Sequence, residues 1–517
     1  MSDQTQIMNH KQPFYKAHPY VMSFLSGCLA SLSLPPAYIT PAFLIFGWVL
    51  YASATAARWQ SALLHIGLGA YGWFLISLYW ISHSLLVGDA EYWFLIPFSF
   101  FGIPLIVTNF WLVFGTVGYL LCKTAPARLM MIIIALGVAE WGREFIATGF
   151  PWNAPGLVFL VSEPTAYLAA YFGQTGLNLL AFLVAGLGPF WLLLPSDLRH
   201  IALISASLLL IFLTAISWHY GHHYGHMTLS DSYVRLVQPA IPQDEKWDYS
   251  QRAKHMAKLV NLSQQPADKP IDLVIWPEVA FAGNYHAHEA LFTDLSSQIA
   301  QSHQAQNGKG HLLTGILRID EAGDYYNSAL LLSDDGQRQI YNKTHLVPFG
   351  EYVPWRFIPF IDAIAGPVDF SKGSAVRPLE TESFGLILPL ICYEAIFPHL
   401  TGQSTSRPSL LVNVTNDAWF GHSAGPYQHL AQTQMTAASY GLPLIRVANT
   451  GISAVISPTG QIQASLALGQ AAVIDAPVPT ALAQTWFARF GWGSFFALAI
   501  ILIIGVLRLD RIMEKRQ

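Results

Sequence analysis

Between about residues 20 and 218 the chain is a nearly unbroken series of apolar stretches, and this run constrains the fold more than anything else in the sequence. A helix that crosses a bilayer needs about 20 apolar residues. Seven such spans can be read at 20–36, 39–57, 61–83, 92–119, 128–147, 165–194 and 199–217, and the sixth is long enough to call for a kink or a tilt. An eighth lies at 488–508. Charged residues make up only 11% of the chain and hydrophobic ones 53%, whereas a soluble domain carries about a quarter charged residues. The net charge of -4 gives no reason to expect nucleic acid.

Orientation follows from the lysines and arginines that flank the spans. With the N-terminus in the cytoplasm, Lys11, Lys16, Arg58, Lys123, Arg128, Arg199 and the basic tail after Arg508 all fall inside, and the short outer loops keep little beyond Arg143 and Arg489. Seven crossings then carry the middle of the chain outside. The expected layout is a cytoplasmic N-terminus at 1–19, a seven-helix membrane domain at 20–218, an extracytoplasmic domain at 228–482, a final span at 488–508 and a cytoplasmic tail at 509–517.

Two features of the membrane part invite functional readings that the residues do not favour. Leu25-Ser26-Gly27-Cys28 matches a lipidation box, but the apolar run before it is far shorter than a signal peptide needs and continues past the cysteine. His219, His222, His223 and His226 have helical spacing. Glycines interrupt them, and their aromatic neighbours suit a membrane-interface connector better than a metal site. Glu140 and Arg143, one helical turn apart near the end of the fifth span, are the main charges inside a span.

From about 230 to 480 short apolar runs alternate with polar turns. Ile271–Trp276 and Leu386–Cys392 are near-continuous apolar runs, as strands buried on both faces are. Helical stretches are expected at about 249–264, 287–305 and 425–440. This alternation predicts an α/β sandwich, with helices covering stacked sheets.

Three polar residues sit where such strands end. Glu278 follows Trp276-Pro277, Lys343 follows Tyr341-Asn342, and Cys392 closes Leu388-Pro389-Leu390-Ile391. Each alone is unremarkable: a capping carboxylate, a solvated amine, a buried thiol. Together they make a self-sufficient acyl-transfer set. A thiol has a pKa of about 8.5 and must lose its proton to attack. A carboxylate can take that proton, and an ammonium can stabilise the oxyanion formed when sulfur adds to a carbonyl. No metal or cofactor is required.

These segments resemble the Glu–Lys–Cys motifs of the nitrilase superfamily. Within it, Asn342-Lys343-Thr344-His345-Leu346-Val347-Pro348-Phe349-Gly350-Glu351-Tyr352-Val353-Pro354, Asn416-Asp417-Ala418-Trp419-Phe420-Gly421 and Gly149-Phe150-Pro151-Trp152-Asn153 are similar to the apolipoprotein N-acyltransferase family, and the likeness extends over nearly the whole chain. The resemblance implies a polytopic α-helical membrane domain of about eight transmembrane helices joined to a nitrilase-like αββα sandwich. It implies a bacterial inner-membrane protein with its catalytic domain in the periplasm and both termini cytoplasmic. It also implies a ping-pong reaction in which a phospholipid acylates Cys392 and a diacylglyceryl-apolipoprotein then receives the chain. Glu278 would be the base and Lys343 the oxyanion partner. Glu351 would support Lys343, and Tyr393 and Glu394 would shape the surroundings of the thiol. Trp247, Asn327, Asn416, Trp419 and Arg446 would be pocket or loop residues.

Both substrates carry acyl chains, so the site must face the bilayer. The apolar run Trp355–Ile361, with Phe357, and Trp419-Phe420-Gly421 are read as lipid-contacting gates. Nothing demands more than a monomer. The competing readings are a membrane-tethered amidase that uses water as second nucleophile, and an inactive transporter or binding scaffold. Eight spans exceed the needs of a tether, and an intact triad argues against inactivity.

Overall fold

A computed structural model describes residues 14–87, 92–304, 308–333, 336–354 and 369–516. The expected span positions are helical, but several are broken. Among the described residues, four helices are long and apolar enough to cross a membrane: Trp93–Leu120, Ala125–Gly142, Ala169–Leu193 and Ser196–Tyr224. Trp59–Ser77 and Tyr79–Leu86 form a fifth, bent by 43°. The first two expected spans are shorter apolar runs, Pro19–Ser33 and Thr40–Thr55, and the eighth is the helix Gly493–Glu514. The kink expected in the sixth span falls at Gly173, whose φ of +60° only glycine adopts cheaply. The histidine cluster is not a glycine-broken connector: the helix runs through Gly221 to Tyr224, and His222 stacks on Trp218.

Close helix contacts explain the glycines of this bundle. A Cβ on Gly27 would meet the carbonyl oxygen of Gly69 at 1.9 Å, so the helices carrying them touch backbone to backbone. Glu140 and Arg143 pair with each other at 2.6 Å, both 1% exposed. Glu140 also accepts from Trp111 Nε1, and Arg143 donates to the carbonyls of Phe150 and Trp152 at 2.9 and 2.5 Å. This pair therefore fixes the loop that leaves the fifth span.

The second half of the chain contains thirteen described strands. β1 (Leu229–Gln238), β2 (Leu273–Ile275), β3 (Phe281–Asn284), β4 (His311–Ile319), β5 (Tyr325–Leu332) and β6 (Arg338–Asn342) build one sheet, which β13 (Ala472–Pro479) completes against β1. β7 (Leu379–Thr381), β8 (Gly385–Ile391), β9 (Leu410–Thr415), β10 (Leu444–Ala448), β11 (Ala454–Ile456) and β12 (Ile462–Ser465) form the other, in the order β12-β11-β10-β9-β8-β7. The edge strands β3, β7 and β12 are too short to stand out from the sequence.

Side chains alternate across these strands with a period of two. Ile387 and Ile391 of β8, Val412 and Val414 of β9, and Ile445 and Val447 of β10 face the other sheet, where they join Val234, Leu236, Ile275 and Leu313 in one core. The intervening Leu388, Leu390, Leu411 and Leu444 belong instead to the large core shared with the membrane helices. Helices Arg252–Ser263 and Glu289–Gln304 cover the first sheet through Met256, Leu259, Phe292, Leu295 and Ile299. Helix Gly425–Tyr440 covers the second sheet and packs against Ala169–Leu193. The result is the αββα sandwich expected from the sequence, with one of its helical layers docked on the bundle.

Candidate active site

Glu278, Lys343 and Cys392 converge at the strand ends of the two sheets. β2 delivers Glu278 through a strained turn in which Val279 has a φ of +42°, an outlier for a β-branched residue. The turn lies so close to β4 that a Cβ on Gly315 would approach the Glu278 Cα to 2.5 Å. β6 ends one residue before Lys343. β8 ends at Ile391, and Cys392 itself takes a φ of +51° as the chain turns into a short 3-10 helix, Cys392–Ile396. A non-glycine residue held there costs about 1–3 kcal/mol, so its surroundings must hold it in place.

Three fixings do so. Glu394, fully buried, accepts from the Ile391 amide at 2.8 Å through one oxygen. Its other oxygen accepts from the Tyr341 hydroxyl (2.9 Å), the Thr344 amide and hydroxyl (2.7 and 2.8 Å) and the His345 amide (3.1 Å). One carboxylate thus ties the cysteine turn to the loop that begins at Lys343. On the far side, His429 Nε2 lies 3.1 Å from the Cys392 carbonyl, and Asn413 Nδ2 donates to the Leu390 carbonyl at 2.7 Å. The Cys392 carbonyl can only accept, so Nε2 carries a proton.

Behind His429 is a fully buried ionic network. His429 Nδ1 is 2.9 Å from Asp417 Oδ1, which also accepts from Thr415, while Arg446 Nη2 donates to Asp417 Oδ2 at 2.5 Å and Nη1 to Asn413. Burial opposes the Asp417 charge, but Arg446 and His429 override it and hold the carboxyl well below the usual range. Burial, and then Arg446, lower the pKa of His429, while Asp417 and the Cys392 carbonyl, each of which needs a ring N–H, resist the fall. Asn416, next in the chain, donates to Gln243 at 2.7 Å and accepts from Asn449 at 3.0 Å, joining two loops at the rim.

Among the charged partners, Lys343 is 1% exposed and donates to Glu351 Oε1 at 2.8 Å, with Glu278 Oε1 3.8 Å away. Asn327 Nδ2 bridges the two carboxylates, donating to Glu278 at 2.8 Å and to Glu351 at 2.7 Å. Burial alone would discharge Lys343, but Glu351, Glu278 and Cys392 together raise its pKa above the ordinary lysine value. Burial pushes the Cys392 thiol up, Glu278 adds to this, and Lys343 and a hydrogen bond with Thr415 pull it down. Burial thus favours the neutral thiol, while the neighbouring Lys343 holds its proton with the Glu278 carboxyl 3.8 Å from it.

Tyr393 and helix Gly425–Tyr440 tie the site to the membrane bundle. The Tyr393 hydroxyl donates to the Gly149 carbonyl at 2.9 Å, and Gln432 donates to the Pro151 carbonyl at 3.1 Å. Gln428 Oε1 accepts from Trp80 and Trp152 at 2.8 and 3.0 Å. Phe420 packs inward on Trp80, Trp152 and His429, whereas Trp419 and Trp247 are 43% and 53% exposed. Phe357 and the rest of 355–361 lie outside the described residues. A cavity of about 540 Å³ opens behind the lysine loop, lined by Glu144, His345, Lys372 and His399 among others, and none of the triad reaches it.

Sequence reasoning missed Lys246, His429, Asp417 and Thr415. Asp417 lies inside a segment singled out for its likeness, and Lys246 adjoins Trp247. His429 gives no such signal, because only the docked helix makes it a core residue.

A strand-end thiol on a double-sheet α/β sandwich defines the carbon-nitrogen hydrolase class, and the corresponding family model, Carbon-nitrogen hydrolase, matches residues 233–488. A second model, Apolipoprotein N-acyltransferase N-terminal domain, matches 26–187. The apolipoprotein N-acyltransferase of Rickettsia typhi is 32% identical over 94% of this chain and 97% of its own length. That of Rhodopseudomonas palustris is 34% identical over 94% and 95%. A solved carbon-nitrogen hydrolase from Helicobacter pylori aligns with 48% of this chain and 88% of its own at 17% identity, with a TM-score of 0.37. The chain belongs to the apolipoprotein N-acyltransferase family, and it is a membrane protein and an acyltransferase.

Proposed function

We propose that this protein moves a fatty acyl chain from a phospholipid to the α-amino group of the N-terminal diacylglyceryl-cysteine of apolipoproteins, through an acyl-thioester on Cys392. Glu278 takes the thiol proton as sulfur attacks the ester carbon. The oxyanion forms beside Lys343, whose ammonium is held in place by Glu351, a carboxylate that Asn327 in turn bonds. As the tetrahedral adduct collapses, the carbon–oxygen bond breaks, Glu278 returns the proton to the leaving lysophospholipid oxygen, and the thioester remains. The lipoprotein amine then attacks that thioester. Glu278 accepts a proton from the amine and delivers it to the departing sulfur, so the enzyme ends as it began.

The observation that carries this reading is the convergence of a buried carboxylate, a buried ammonium and a half-buried thiol on the sandwich face that is docked to the membrane bundle. In this reading the domain 228–482 is periplasmic, residues 20–218 and 488–508 lie in the inner membrane, and both termini are cytoplasmic, a layout that the Lys and Arg bias supports. Trp247 and Trp419, both exposed, border the lipid entry. A monomer suffices.

Intact-mass spectrometry after mixing the protein with phospholipid tests the first half-reaction. The expected result is a mass gain of one acyl group, lost in Cys392→Ala. A gain that persists in Cys392→Ala would refute the mechanism, and no gain in the unmodified protein would favour an amidase or a scaffold.

A further inference from the structure

Lys246 is a second buried lysine at the reacting centre, and the steps above do not use it. It closes the short helix Gln243–Lys246 after β1 and is 6% exposed. Its Nζ donates to the backbone carbonyl of Glu278 at 3.1 Å. Among the described residues that is its one hydrogen bond, and no carboxylate lies within ion-pair distance. Lys343, by contrast, has Glu351 at 2.8 Å and Glu278 at 3.8 Å. Burying an ammonium without a carboxylate is unfavourable and calls for a reason.

The charged groups around Lys246 supply one. On its own helix Asp244 is exposed, and Glu245 lies 3.6 Å from His255. Across from it, the ionisable side chains whose charge it feels are Glu278 and Cys392, the same two that face Lys343. The bond to the Glu278 carbonyl also falls on the strained Glu278–Val279 turn, which the Ala280 amide secures to Gly315 at 3.0 Å on its other flank.

We propose that Lys246 is a positioning residue that anchors the Glu278 turn and adds a second positive charge to the same buried site, so that the Cys392 thiolate forms in the field of two ammonium groups. This rests on Cys392 being the nucleophile. The arrangement carries its own pH signature. Burial pulls the Lys246 pKa down to about 8, while Glu278 and Cys392 resist the fall. Its charge is present below that pH and lost as pH rises through it, whereas Lys343 keeps its proton.

The test is alkylation of Cys392 by iodoacetamide in the full-length protein, read by mass from about pH 6 to about pH 10. Lys246→Met is expected to slow alkylation about tenfold at neutral pH and to move the thiol midpoint up by about one unit. Lys246→Arg keeps its charge and should match the unmodified protein at neutral pH, then outpace it above pH 8. A folded Lys246→Met protein, with an unchanged thermal midpoint, that follows the unmodified profile would overturn the proposal. If the Met variant does not fold, the Arg variant decides: a profile that still coincides with the unmodified one above pH 8 overturns it equally. Absence of any Cys392 alkylation in the unmodified protein would remove the nucleophile reading itself, a separate outcome.

Discussion

The two helical layers of the sandwich are built on opposite principles. Helices Arg252–Ser263 and Glu289–Gln304 bury one apolar stripe and turn polar residues such as Ser297 and Gln298 to solvent. Helix Gly425–Tyr440 is buried at every residue but Tyr427, although its sequence is rich in Gln, His, Thr and Ser. A polar helix can be enclosed only if its side chains find partners. Gln428 finds two tryptophans, Gln432 a carbonyl of the membrane loop, Gln434 the Gly460 carbonyl and His429 the Cys392 carbonyl. The thiol therefore belongs to the docked layer and depends on it. The sandwich is one body with the bundle rather than a soluble enzyme on a leash.

The contrast can be broken in graded steps. The largest effect is expected from Arg446→Met, which strands the fully buried Asp417 carboxylate without its guanidinium partner. Removing one partner of a buried pair costs about 3–5 kcal/mol, to be read as a lowered thermal midpoint together with loss of thioester formation. Next, Glu394→Gln keeps the shape but replaces one acceptor oxygen by a donor amide, which in its less disruptive orientation faces the Ile391 N–H. We expect a cost of about 1–3 kcal/mol and slower acylation, because the lysine loop and the cysteine turn separate. Tyr393→Phe removes only the bond to the Gly149 carbonyl, at about 1 kcal/mol, and its effect should fall on acylation rate more than on stability. The smallest effect is expected from Ser297→Ala in the solvent-facing layer, within about 0.5 kcal/mol and with full activity. A loss there as large as that in Arg446→Met would erase the distinction between the layers.

The parts legible in the sequence were those whose signal is local. Leu388–Ile391 reads as a doubly buried strand because every residue in it is apolar, and Glu278, Lys343 and Cys392 stand out as polar residues where such runs stop. The kink in the sixth span was foreshadowed by length alone. What escaped depends on long-range packing. Helix Gly425–Tyr440 has the composition of a solvated helix, and only the bundle 250 or so residues upstream makes His429 a core residue. The first two spans read as continuous because apolar content does not register the breaks near Pro35-Pro36 and Thr40-Pro41, where 3-10 turns replace the α-helix. Lys246 looked like any surface lysine beside an acidic pair. Its burial arises from the approach of the Glu278 turn, which no pattern in residues 243–246 encodes.

The central claim is that the acyl chain resides on Cys392 between donor and acceptor. It is tested most directly by a single turnover: acylate the full-length protein with phospholipid, remove free lipid, add a diacylglyceryl-cysteine peptide, and weigh both partners. The account predicts that the peptide gains one acyl group as the protein loses one, with no phospholipid present. A peptide acylated only when phospholipid is restored, while the protein keeps its acyl group, would contradict it.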